Sequence, residues 1–403
     1  MRKRVLLVNG GKPEPIRILE QDPEVELLAL TDHEYRYMIG AGTETVAIED
    51  TQDLEAARKA VLRLAAGRDI DYVVAPGERG QLVAAYLRSY FGVPGTGLEV
   101  ATAFTNKDAM KKALRAAGLP VADSRLITGL DRLADAGEEI GWPVVVKPVV
   151  GSGTALTFLI RSAAEAAGFL RTSDAAELGA CGQALLVEKF VRMTKEYHCD
   201  GIVSGGEVAF ALPSCYFDPL LGNLDRISGS YTLPEDDPDQ EEILRLNARA
   251  VRALGLEDGA THLELFRTDT GFVIGEIACR PAGGGVPEAV LRHCGVDLWA
   301  EMVRVCTGGR ADIRPRRTDK VTLNVMIPPE EGRVVEMTPA ERFLEIPGVT
   351  RAEIRARPGD VLQSPKRSTV TAALLFVELP GIDVMEDRLA QIAGAHKLVT
   401  EPV

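Results

Sequence analysis

The stretch from His262 to Arg280, HLELFRTDTGFVIGEIACR, reads as two strands of alternating polarity around a turn. Leu263, Leu265 and Ile277 alternate with Glu264 and Glu276, so one face of the hairpin is core and the other carries the acids. Asp269-Thr270-Gly271 supplies a three-residue loop with glycine where a positive φ is needed. That loop sets Thr268 against Phe272 and, two by two, Glu264 against Glu276. Side chains so opposed have Cβ atoms about 4.5–5.5 Å apart, and like charges there destabilise the pair unless something positive lies between them. A divalent cation meets that need, with carboxylate oxygens on one side and water or phosphate completing its shell. The alternative is a solvent-facing acidic pair on an ordinary hairpin.

Past the hairpin, Arg280 keeps the parity of Glu276 and is followed by Pro281-Ala282-Gly283-Gly284-Gly285 and then a helix signal at Pro287-Glu288-Ala289. Bare backbone N–H groups entering a helix, with an arginine beside them, suit a carboxylate or a transferring phosphoryl group. A flexible turn with a surface arginine is the plainer alternative. His262 shares the parity of Glu264, but a packed or solvated histidine is the favoured reading, and the five histidines offer no convincing Ser/His/Asp order. Cys279 faces away from Arg280, and the six cysteines show no C-x-x-C spacing, so they read as reduced, buried small hydrophobes.

Upstream, Lys147 ends the run Pro143-Val144-Val145-Val146, and a cation at the end of a buried strand is costly unless an anion meets it. Gly151-Ser152-Gly153-Thr154 follows, a loop whose amides and hydroxyls suit phosphates but which is neither a P-loop nor a dinucleotide fingerprint. Lys107 opens a strong helix, DAMKKALRAAG, with Thr105 three residues before Asp108 as a capping-box variant and Gly118 as its stop. On its own Lys107 is an ordinary solvated helix residue.

Nearer the start, VLLVNGG and the apolar runs near residues 26–30, 45–48 and 72–76 alternate with helical stretches such as LEAARKAVLRLAAG. Such alternation predicts a doubly wound α/β domain over 1–97. Short strands around a helix make 98–190 a compact α+β region. Longer, antiparallel strands fill 191–316, where the acidic stretch from Pro234 to Gln240 reads as a solvated turn before a helix. Residues 317–403 read as a small β-rich C-terminal unit.

The chain has 403 residues with 46 Lys and Arg against 59 Asp and Glu, a net charge of −13, and only MRKR is densely basic, which argues against nucleic acid. No apolar run approaches the ~18 residues of a membrane helix, and the few apolar residues before Asn9 are too short for a secretory signal. A cytoplasmic enzyme is expected.

Taken in order, these pieces resemble the ATP-grasp superfamily of carboxylate–amine ligases, including L-amino-acid ligases, over nearly the whole chain. The matching residues are Lys107 in TNKDAMKKAL, Lys147 in WPVVVKPVVGSGT, Glu188-Lys189-Phe190-Val191 in LLVEKFV, and Glu264 with Glu276. The resemblance implies that Lys107 and Lys147 hold the α- and β-phosphates of ATP and that Gly151, Ser152, Gly153 and Thr154 close over the β- and γ-phosphates. It implies that backbone groups of Lys189 and Val191, helped by Glu188, read the adenine edge, and that Glu196 binds the ribose. It also makes Glu264 and Glu276 ligands of Mg²⁺, with Mn²⁺ as an alternative ion, and Arg280 the group that orients the acyl substrate.

Two positions depart from the pattern. Ala278 stands where E-x-N-x-R has asparagine, and Leu156 where the commoner loop has a late glycine. The implied reaction activates a small carboxylate, an amino acid being the leading candidate, as an acyl phosphate under a mobile lid, and an amine then attacks. Small-molecule acid and amine are the implied partners, and the resemblance allows a homodimer. The runners-up are a carboxyphosphate-forming, biotin-carboxylase-like enzyme, although the chain carries no Met-Lys-Met biotin-attachment motif, and a nucleotide-binding regulator without catalysis. Tyr216, Phe217, Arg226 and Trp299 are candidates for lining a substrate pocket.

Overall fold

The computed structural model describes residues 2–364, 368 and 370–403. Near the N-terminus four parallel strands lie in the order Glu44–Ile48, Val25–Asp32, Lys3–Asn9, Tyr72–Val74. Helix Pro13–Gln21 buries Ile16 and Leu19 on one side of this sheet, and helices Leu54–Ala65 and Gln81–Phe91 bury Ala57, Ala60, Val61, Val83 and Leu87 on the other. The expected doubly wound arrangement is therefore present. Its consequence is positional: the turns leaving the carboxyl ends of two adjacent strands, at Gly10-Gly11-Lys12 and Gly77-Glu78-Arg79, emerge together, where open α/β sheets place their ligands.

A second sheet, antiparallel, runs Ser124–Ile127, Leu185–Lys189, Val144–Pro148, Phe158–Ile160. Helices Leu133–Ile140, Ala163–Phe169 and Ser173–Gly179 join it around a small core of Leu133, Val144, Val146, Leu178 and Val187. The loop between its last two strands holds Gly153, Thr154 and Leu156 at φ 65, 59 and 52°. Leu156, which stands at the late-glycine position, thus adopts the left-handed backbone that glycine would take without steric cost.

The largest sheet has eight antiparallel strands in the order Gly271–Ala278, Gly259–Thr268, Lys195–Ser204, Glu207–Tyr216, Ser228–Thr232, Val321–Ile327, Ala373–Leu379, Val349–Ile354. Its apolar face, with Tyr197, Cys199, Leu263, Leu265, Ile277, Leu323 and Val325, packs on helices Lys107–Ala116 and Gln240–Leu254. Three strands from 317–403 complete this sheet. Only Gly332–Met337, Val361–Leu362 and Leu398–Glu401 form a separate three-stranded one. VTLNVMI and ALLFVEL are buried throughout most of their length and require neighbours on both edges. No helix among the described residues is long and apolar enough to cross a membrane.

Two local expectations change. Thr105 does not cap the helix that follows; it ends helix Leu98–Thr105, and Asn106 caps Lys107–Ala116 by accepting the N–H groups of Asp108 and Ala109. In the hairpin, Thr268 pairs with Gly271 and Arg267 with Phe272, so the turn has two residues, not three. The offset is removed by a bulge between the pairs Leu265–Ile274 and Glu264–Glu276, which restores the acids to opposite positions. Gly275 is the extra residue, and a Cβ there would lie 2.7 Å from Phe266 Cζ. Replacing Gly275 by valine is expected to cost about 1–3 kcal/mol through this overlap, read as a lower midpoint in urea unfolding.

Candidate active site

A cavity of about 300 Å³ opens where the three structural parts meet. The two N-terminal turns form one wall, the smaller antiparallel sheet with its glycine loop forms the roof, and the polar face of the large sheet forms the floor. Every residue proposed for the site from the sequence, from Lys107 and Lys147 through the Gly151–Thr154 loop to Arg280, lines this one space. Tyr216 lines it too, whereas Trp299 lies in the core beneath the N-terminal sheet and Phe217 stacks on Tyr231.

On the floor, Glu264 and Glu276 face each other across the hairpin. Lys107 Nζ stands 3.4 Å from Glu276 and donates to the Gly151 carbonyl at 2.6 Å, tying the floor to the glycine loop. Burial opposes the charge on Glu264, but a hydrogen bond from His262 and the fields of Lys147 and Arg280 hold its carboxyl below the ordinary range. Glu196, buried, is pushed up to about 8, first by burial and then by Glu264; its Oε2 accepts the Leu220 N–H at 2.9 Å.

On the roof, the Glu188 carboxylate is held between Lys147 Nζ at 2.6 Å and Lys111 Nζ at 2.9 Å. Expected to help at the adenine edge, it serves here as the counter-ion of two lysines. Burial works against its charge, yet the two ammoniums bring its pKa down to about 2. Lys189 Nζ donates to the Gly141 and Trp142 carbonyls, and the Val191 N–H has no acceptor among the described residues. Lys111 was not singled out from the sequence. Its signal was its position one helical turn after Lys107 on a face otherwise occupied by Met110 and Leu114.

On the third wall, Glu78 Oε2 accepts from Arg280 Nε at 2.8 Å, a pair joining residues 202 positions apart. Burial pushes the Glu78 carboxyl up despite that partner, while Arg280, desolvated but facing Glu78, Glu276 and Glu264, stays charged. Glu78 and Lys12 also escaped the sequence reading, although both sit in loops at the carboxyl ends of parallel strands.

Behind Glu264 a chain of polar groups crosses the sheet. His262 Nε2 lies 3.4 Å from Glu264 Oε1, and its Nδ1 is 3.0 Å from Asp200 Oδ1. Asp200 Oδ2 meets His198 Nδ1, whose Nε2 is 2.8 Å from Ser230 Oγ. Ser230 donates to Asn324 Oδ1 at 2.7 Å, and Asn324 donates to the carbonyl of Gly284 in the glycine turn at 2.9 Å. His198, Asp200 and His262 are close enough to suggest a metal cluster, but each already holds its neighbour by a hydrogen bond. His262 stands directly opposite Ala278.

A hairpin presenting two carboxylates below a lysine-studded sheet and a glycine loop is the arrangement of an ATP-grasp enzyme, and residues 112–288 match the ATP-grasp domain. Residues 325–401 match the C-terminal domain 2 of L-amino acid ligases. The chain is 32% identical over 402 residues to the L-arginine-specific L-amino acid ligase of Bacillus subtilis, covering 98% of this chain and 97% of that protein. It is 27% identical to dapdiamide A synthase of Enterobacter agglomerans over 66% of this chain and 64% of that one. Among solved structures, the L-amino acid ligase of Bacillus licheniformis superposes with a TM-score of 0.80 at 18% identity, covering 99% of both chains. The protein belongs to the L-amino acid ligases of the ATP-grasp superfamily. It is an ADP-forming carbon–nitrogen ligase that uses ATP to join a carboxylate to an amine.

Proposed function

We propose that both substrates are amino acids and that the product is a dipeptide made through an acyl phosphate. The observation that carries this reading is the Glu78–Arg280 pair beside the acids of the floor. An α-amino acid offers one carboxylate and one ammonium, and the pair offers one guanidinium and one carboxylate. The donor carboxylate then lies near Arg280 and its ammonium near Glu78. The relative specific for L-arginine makes arginine the first donor to test.

ATP lies across the roof. The free Val191 N–H and backbone groups of Lys189 suit the adenine edge, Glu196 suits the ribose, and Lys107 and Lys147 suit the α- and β-phosphates beneath Gly151, Ser152 and Gly153. Magnesium fits the donor set, since two facing carboxylates with phosphate oxygens and water are the ligands this ion takes, and Lys107 stands by Glu276 as a movable counter-charge. When bound it would neutralise charge on the phosphates. Ala278 contributes nothing to it.

A carboxylate oxygen of the donor attacks the γ-phosphorus and ADP leaves. The acceptor nitrogen then attacks the acyl carbon, loses a proton and expels phosphate. Positioning and charge neutralisation carry most of such a transfer, so lysines, an arginine and a closed cavity suffice without an acid–base pair. With MgATP and pairs of L-amino acids, phosphate release is expected to match dipeptide formation one to one and to need both amino acids. Phosphate release that required bicarbonate, or nucleotide binding without turnover under every pairing, would contradict it.

A further inference from the structure

Among the described residues seven lysines and arginines line the cavity, and six of them have partners. Lys107 meets Glu276; Lys111 and Lys147 share Glu188; Lys189 donates to two carbonyls; Arg79 reaches Asp50 at 3.2 Å; Arg280 holds Glu78. Lys12 is the seventh. Among the described residues no carboxylate lies within 4.0 Å of its ammonium and no carbonyl accepts from it. It occupies a fixed place nonetheless. Asn9 Oδ1 accepts the N–H groups of Gly11 and Lys12, and Asn9 is itself anchored to Thr31 at 3.1 Å. Gly11, at φ 80°, lets the turn lie against the ring of Tyr35, where a Cβ would come within 2.9 Å.

The surroundings of Lys12 are those of a cation awaiting an anion. Burial and then the charge of Arg280 depress its ammonium; Glu14, in the first turn of the helix that Lys12 precedes, offsets this only in part, and Arg355 adds a further positive field. A partly buried cation among like charges is costly until an anion arrives. The phosphates already have Lys107 and Lys147, which stand by Glu276 and Glu188. The donor carboxylate is consumed as it becomes the acyl group, beside Arg280. In dipeptide synthesis one anion remains unplaced: the α-carboxylate of the acceptor, which survives as the C-terminus of the product.

We propose that Lys12 binds that carboxylate and so makes the enzyme select acceptors with a free acid group over amides and simple amines. This rests on the dipeptide-forming reading above. Lys12 touches the acceptor only, so it determines specificity and takes no part in activating the donor.

The test holds MgATP and the best donor at saturation and varies one acceptor as its free acid and as its primary amide, for the native enzyme, Lys12→Met and Lys12→Arg. A charge-assisted pair in a sheltered site should give the native enzyme a preference in kcat/KM of about 100-fold for the acid. Lys12→Met should bring that ratio to near 1 through the acceptor KM, and Lys12→Arg should restore much of it. A Lys12→Met enzyme that keeps the native acid-to-amide ratio, or whose donor KM rises in place of the acceptor KM, would overturn the assignment. Failure of the native enzyme to ligate any amino-acid pair would instead remove the dipeptide reading itself.

Discussion

Glu276→Gln is expected to lower ligation by at least about a thousandfold, a loss of the size seen when a group that stabilises transferring charge is removed. The substitution keeps the volume and the strand, so the hairpin should stand. Relief of the repulsion across from Glu264 and loss of the counter-charge of Lys107 oppose each other, so thermal stability should change little. What disappears is one of the two facing carboxylates of the proposed metal site, together with the group that Lys107 approaches at 3.4 Å. Steady-state phosphate release with saturating donor, acceptor and MgATP, alongside a melting curve, tests both halves. Turnover within tenfold of native would remove Glu276 from the metal site.

Glu188→Gln should produce the largest loss of stability in the molecule, about 3–5 kcal/mol at neutral pH, because it strands two buried ammoniums at once. Lys111 is the more vulnerable, being enclosed and already depressed by burial even with Glu188 present, so it is expected to shed its proton in the variant. The pH dependence follows from the carboxyl itself. Its folded pKa of about 2 lies below its ordinary unfolded value of about 4.3, so its contribution is complete above pH ~4.3 and is lost as pH falls through ~2. The gap between native and variant should therefore be widest near neutrality and narrow between pH ~4 and ~2. Urea unfolding at pH 7, 4 and 3 measures it; a gap independent of pH would mean that Glu188 is not charged in the folded protein.

The hairpin shows how far local pattern carries. Alternation alone paired Glu264 with Glu276 and put Arg280 beside them, although the turn was misjudged by one residue, because the bulge at Gly275 cancelled the error. The bulge was not legible, since the crowding of Gly275 by the Phe266 ring exists only once the strands have paired. That Lys107, Lys147 and the glycine loop meet in one cavity was visible from order along the chain. Glu78 and Lys12 were not, because what matters about them is that two N-terminal turns face an arginine two hundred residues away. Asp200 and His198 were invisible for a related reason: strand Lys195–Ser204 becomes the neighbour of Gly259–Thr268 only through a non-sequential strand order. The C-terminal strands joined the central sheet for the same kind of reason, as edge pairing is decided by which neighbour is available.

The run of hydrogen bonds from Glu264 through Asp200 and Ser230 to Gly284 bears on attempts to widen the range of acids this ligase accepts. The glycine turn looks like a convenient place to reshape the pocket. Yet its backbone hangs from Asn324, and Asn324 from a line of donors and acceptors that ends on the Glu264 carboxylate. Directed evolution there would be retuning the catalytic floor as well, so improved breadth and diminished rate should arrive in the same clones.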